Sequence, residues 1–427
     1  MKISRQSKLI DKYVRSWFQK DAGYTIPTNT RSPTSRVFMQ LYNDICDGTA
    51  YVKSLKYGPS VSVEEIQHVM QIPYPKMFPV NAIPQCVRDI IEVETHQVVS
   101  ITFNNVLERT ITFQFILNDI DQESVEKYME YARLMLTWLY IADQYACSPN
   151  CGKTLVVYLY FTDTTKRIPD GNMNILSEEH VNTAFTSTCP ANSEIIIFRK
   201  EEWFKVFIHE TFHNFALDFS GMDTKECHDT IKKTFSVKSD MNLFEAYTEF
   251  WAEIMNICFC SYATIKSKGD TRSYLTKCTT LLENERVYSV MQMVKALGYM
   301  GLSYNNMHGK SKTDITLRKT LYKENANVLA YFVIKSILMV NYNDFFKWCI
   351  DNNTSLLQFK KTITNQRRFC QFITNHHNTR DTTEFIGRIQ TKVGEIYKKR
   401  MGTNKLKEKE SLGYMLYNLR MSIYELV

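Results

Sequence analysis

The chain has 427 residues, of which 44% are apolar and 13% aromatic, and its formal net charge is +7 at pH 7. That length supports a large buried core in two or three domains, and the composition excludes a disordered chain. The basic clusters Lys360-Lys361, Lys398-Lys399-Arg400 and Lys405 to Lys409 are interleaved with acids, so they read as solvated helix faces and not as a nucleic-acid surface.

In chain order, residues 1 to 95 read as a mixed region broken by Pro27, Pro33, Pro59, Pro73, Pro75, Pro79 and Pro84, with a short capped helix predicted at Ser62-Val-Glu-Glu-Ile66. Val98 to Phe103 and Arg109 to Ile116 predict a hairpin with Asn104-Asn105 in its turn. Glu123 to Tyr145 carries apolar residues at helical spacing. Thr154 to Phe161 and Glu194 to Phe198 are continuous apolar, β-prone runs and predict buried strands; His180 to Thr188, more polar, predicts an edge strand. From Lys200 onward nearly everything reads as helix, including Asn325 to Met339, Tyr342 to Ile350, Thr382 to Arg400 and Glu408 to Leu426. The longest apolar run, Val328 to Val340, is too short to span a bilayer and contains Lys335.

The cysteines number eleven, an odd count without framework spacing, and Met1 to Lys8 has no apolar signal segment. Reduced thiols in a cytoplasmic compartment are expected, with Cys147 and Cys151 at a helix end and a turn.

The sharpest feature is His209-Glu210-Thr211-Phe212-His213, inside the apolar stretch Trp203 to Phe219. Residues four apart on a helix share a face, so both imidazoles can reach one metal ion with Glu210 beside it. Glu201 and Glu202 place acids at the helix start. A metzincin-type extension fails, because Ala216 stands where that pattern has Gly and Phe219 where it has His. Downstream of an expected N-cap at Asp240, Asn242 to Glu253 predicts a second apolar helix carrying Glu245, Glu249 and Glu253 at four-residue spacing. Acids on so apolar a helix need partners.

The pair H-E-T-F-H and F-E-A-Y-T-E resembles the gluzincin metallopeptidases, the family of thermolysin. The resemblance implies an α+β, zincin-like fold of two lobes, with a β-containing lobe over residues 96–225 and a mainly helical lobe over 226–427. It implies Zn²⁺ held by His209, His213 and Glu245, with Glu249 supporting a ligating His. A shift of helix phase would make Glu249 the ligand. It also implies an edge strand beside the metal, at Asn182 to Phe185, that receives extended peptide or protein substrate. The run Arg199 to His213, with Leu217-Asp218-Phe219, further resembles a metallopeptidase-like family of large DNA viruses of eukaryotes. The expected chemistry is peptide hydrolysis with Glu210 as general base. The oxyanion donor is left open among Tyr304, His308 and Tyr331. Two other readings remain: a catalytically retired, structural zincin, and a non-peptidase zinc hydrolase taking a Cys ligand such as Cys189. No membrane or nucleic-acid partner is expected.

Overall fold

The computed structural model describes residues 1–18, 32–56, 58–118, 124–171, 175–402 and 406–427. Pro27, Glu123 and Lys405 lie outside them. The chain is a mixed α/β protein, 59% helical, with one six-stranded sheet among its described residues.

Strands β1 (Ser60–Glu65), β2 (Gln97–Val106), β3 (Arg109–Leu117), β4 (Thr154–Tyr160), β5 (Ala184–Thr186) and β6 (Asn192–Ile197) lie in the order β1-β2-β3-β4-β6-β5. β1 and β2 are antiparallel, as are β2 and β3; β4 pairs in parallel with both β3 and β6, and β5 returns antiparallel to β6 as the edge. The helices before and between the strands are α1 (Arg5–Phe18), α2 (Pro33–Ser54), α3 (Gln85–Glu94), α4 (Ser124–Tyr145) and α5 (Glu178–Val181). After β6 come α6 (Trp203–Asn214), α7 (Lys225–Phe235), α8 (Leu243–Thr264), α9 (Thr271–Tyr299), α10 (Tyr304–His308) and α11 (Lys312–Leu321). A π-helical stretch, Leu329–Ile334, then leads into α12 (Lys335–Val340), α13 (Tyr342–Asn352), α14 (Ile363–His376), α15 (Arg380–Gly402) and α16 (Leu406–Tyr417).

Strand alternation assigns the two sheet faces. Val99, Ile101, Phe113, Phe115, Val157 and Ile197 face the main core, which runs from Ile10 to Leu426 and takes residues from the start, middle and end of the chain. Val98, Ile116, Tyr158, Tyr160 and Ile196 face a smaller cluster closed by Ile83, Val87 and Ile91. The N-terminal helices α1 and α2 pack on α9, so the helical half is not built from the C-terminal residues alone.

Some local expectations change. Ser62 to Ile66 is not a helix start: Val61 and Val63 alternate with Ser62 and Glu64, and this period of two makes β1. The hairpin turn is at Leu107-Glu108, both with positive φ (54° and 56°), while Asn105 sits in an irregularity of the pairing between Phe103 and Val106. His180 to Thr188 is a short helix followed by the three residues of β5. The final helix ends at Tyr417, short of Leu426. Buried carboxylates replace its ladder: Glu202 accepts the N–H groups of Met421 and Ser422, and Glu285 those of Ile423 and Tyr424. Cys151 and Cys189 form a disulfide, which corrects the all-reduced expectation at that pair; the other nine cysteines are free. Among the described residues no helix is long and apolar enough to cross a membrane.

Trp138 on α4 is fully buried and stacks on Phe212 of α6, with ring centroids 5.7 Å apart. It backs the helix that carries the two histidines. Trp138→Ala should cost about 3–5 kcal/mol of stability, read as a lowered urea midpoint with unchanged slope.

Candidate metal centre

Every residue of α6 is buried, because the helix lies between the sheet and α8. An apolar circumference explains that placement, and the polar groups on it must then be satisfied inside. Glu201 and Glu202 do not act through the helix dipole alone. Glu202 is the cap residue in a left-handed conformation, φ 62°, and its carboxylate binds Lys166 at 2.8 Å as well as the 421–422 backbone.

His209 and His213 face α8. His209 Nδ1 meets Glu249 Oε2 at 2.9 Å, and His213 Nδ1 meets Asp218 Oδ2 in a short hydrogen bond. An ionised carboxylate cannot donate, so each Nδ1 carries a proton and each Nε2 is left as the atom that could ligate a metal in exchange for its own proton. Those two Nε2 atoms are 3.2 Å apart, and Glu245 Oε2 lies 3.1 Å from one and 3.3 Å from the other. Three potential ligand atoms therefore converge on one point. Tetrahedral zinc bonds of about 2.0–2.1 Å place neighbouring ligand atoms roughly 3.3 Å apart, so the triangle fits that ion.

The four-residue spacing on α8 separates three roles. Glu245 faces the histidines; the His213 and His209 imidazoles overcome its burial and hold its carboxyl well below the usual range. Glu249, one turn on, bridges His209 and Lys205, whose Nζ is 2.6 Å away; burial alone would raise its pKa, but Lys205 and His209 bring it down to about 2. Glu253 points deeper and pairs with Lys335 at 2.7 Å; burial pushes its pKa up to about 7. The N-cap position is Asn242, whose side chain makes no capping hydrogen bond, while Asp240 lies before it, 97% exposed.

The negative field also acts on the imidazoles. Burial opposes their charge, yet Glu245 and Glu249 raise His209, and Asp218 and Glu245 raise His213 well above its ordinary value. The pocket favours a cation.

Glu210 makes no hydrogen bond among the described residues and faces a cleft it shares with His209, Asn182, Thr183, Ala184, Lys166 and Met421. Burial raises its pKa. The cleft is about 30 Å³, room for one or two waters. Asn182 Oδ1 and Thr183 Oγ1, beside edge strand β5, are buried without partners.

Of the three oxyanion candidates, only Tyr331 is here. Its hydroxyl donates to Glu245 Oε2 at 2.9 Å, and its π-helical turn lies against α8. Tyr304 instead donates to the His377 carbonyl at 2.6 Å, and His308 packs on Tyr304 and His377, so neither belongs to this centre. Cys189 is bonded to Cys151 and is not a free ligand.

Sequence reasoning gave no role to Asp218, Lys205 or Thr248. Asp218 follows a left-handed turn at Ala216, φ 53°, that folds it back under His213, where Thr248 Oγ1 also donates to it at 3.1 Å. Asp218→Asn should weaken metal binding about 10–100-fold, measured by competition with a chromogenic chelator. Lys205 carried one signal: it lies four residues before His209, on the same helical face.

No family model, curated protein or solved structure matches the chain.

Proposed function

We propose that this protein is a zinc-dependent peptidase whose ion is held by His209, His213 and Glu245. The carrying observation is the convergence of three potential ligand atoms beside an unpaired Glu210 that faces the cleft. Bound there, zinc supplies Lewis acidity toward a carbonyl oxygen and toward water. Glu210 takes the proton of the attacking water and delivers it to the leaving amine. The Tyr331 hydroxyl supports the oxyanion by exchanging its bond to Glu245 for one to substrate. Strand β5 receives an extended peptide by strand addition, with Asn182 and Thr183 supplying unspent polar atoms. Asp218, Glu249 and Lys205 keep the imidazoles in their ligating tautomer.

The cleft volume favours a second reading. A space of about 30 Å³ takes no peptide, and Lys166 and Met421 form part of its wall. A peptidase must widen here when substrate binds; a zincin serving a structural role need not. The two are separated by incubating zinc-loaded protein with a broad library of extended peptides and mapping the products. Cleavage at defined bonds, lost on chelation, supports the peptidase. No cleavage by a protein that holds zinc supports the structural reading.

A further inference from the structure

A cavity of about 1000 Å³ lies in the helical half, away from the histidines. The last turns of α9, the end of α11 and the middle of α15 form most of its wall. That wall is mainly aliphatic, with Val294, Leu297, Leu302, Leu321 and Val393 prominent. No carboxylate is among the described residues lining it, whereas Lys295 and Lys323 both are.

Lys295 is the informative residue. Among the described residues four lysines are buried: Lys166, Lys205, Lys295 and Lys335. Three of them face a carboxylate: Lys166 faces Glu202 at 2.8 Å, Lys205 faces Glu249 at 2.6 Å and Lys335 faces Glu253 at 2.7 Å. Lys295 has none. Its Nζ donates to the Met415 carbonyl at 2.8 Å and to the Asn418 carbonyl, which leaves one of its three N–H bonds unspent. Burial pushes this amine well below its ordinary pKa, so an anion in contact with it would stabilise its charged form. Gly394 adds a second observation. It lies inside α15, where glycine is disfavoured relative to alanine, and a Cβ there would meet nothing within 4 Å. Gly387 and Gly402 on the same helix are equally open, but of the three only Gly394 lines the cavity, where the missing side chain leaves it wider.

We propose that this cavity binds a long-chain fatty acid, with its carboxylate against Lys295 and its chain along the aliphatic wall. The missing counterion calls for an anionic head, and the lining calls for an apolar tail. This proposal does not depend on the peptidase reading.

The test is calorimetric titration of the full chain with sodium oleate and with oleyl alcohol, which share a chain and differ in charge. Oleate should bind one per chain, and at least about tenfold more tightly than the alcohol. Gly394→Leu, which fills the cavity without touching Lys295, should weaken oleate by at least about tenfold. Lys295→Met should erase the difference between acid and alcohol. Lys295 also holds the 415 and 418 carbonyls, so if that variant does not fold, the wild-type comparison and Gly394→Leu decide. Absence of saturable oleate binding, equal affinity for acid and alcohol, or unchanged affinity in folded Gly394→Leu would overturn the proposal.

Discussion

Glu210→Gln should leave zinc binding intact and reduce peptide hydrolysis by about 10²–10⁴-fold, the usual contribution of a positioned general base. The side chain is not one of the three converging ligands and makes no hydrogen bond among the described residues, so its replacement removes neither a metal bond nor a structural contact. Gln keeps the shape and cannot take a proton. His213→Ala should by contrast lose metal and activity together, because it deletes one of the three converging donors and leaves Asp218 without its imidazole partner. Equal activity of Glu210→Gln and wild type on a substrate that wild type cleaves would remove Glu210 from the mechanism.

Glu245→Ala and Glu249→Ala should fail in different ways. Glu245→Ala removes a proposed ligand and should abolish tight zinc binding, with a small effect on the fold, since its partners are the two histidines and Tyr331. Glu249→Ala should reduce zinc affinity about 10–100-fold, because it frees the His209 ring without removing a ligand. It should also cost about 3–5 kcal/mol of stability, because Lys205 would be left buried and unpaired. Paired zinc titrations and urea unfolding curves distinguish the two. A larger loss of zinc affinity in Glu249→Ala than in Glu245→Ala, in protein that is folded, would exchange their roles.

The reach of the sequence follows from which interactions are local. The helix bearing His209, Glu210 and His213 is legible because a period of four and an apolar circumference are properties of one segment. The alignment of Glu245 with Glu249 is legible for the same reason. β2, β3, β4 and β6 announce themselves as β-branched runs. Asp218 does not, since its approach to His213 depends on a left-handed turn at Ala216, a non-glycine residue that carries no turn signal. Tyr331 and the Cys151–Cys189 bridge depend on tertiary packing that no spacing encodes. The segment after Tyr417 read as helix because the carboxylates that hold it extended, Glu202 and Glu285, come from distant parts of the chain.

The proposed chemistry depends on which atoms surround a bound zinc ion. Zinc K-edge X-ray absorption on protein loaded with one equivalent of Zn²⁺ tests it directly. His209, His213 and Glu245 predict a first shell of nitrogen and oxygen only, at about 2.0–2.1 Å, with two imidazoles in the outer-shell scattering. A sulfur shell at about 2.3 Å, or no zinc uptake by folded protein, would contradict it.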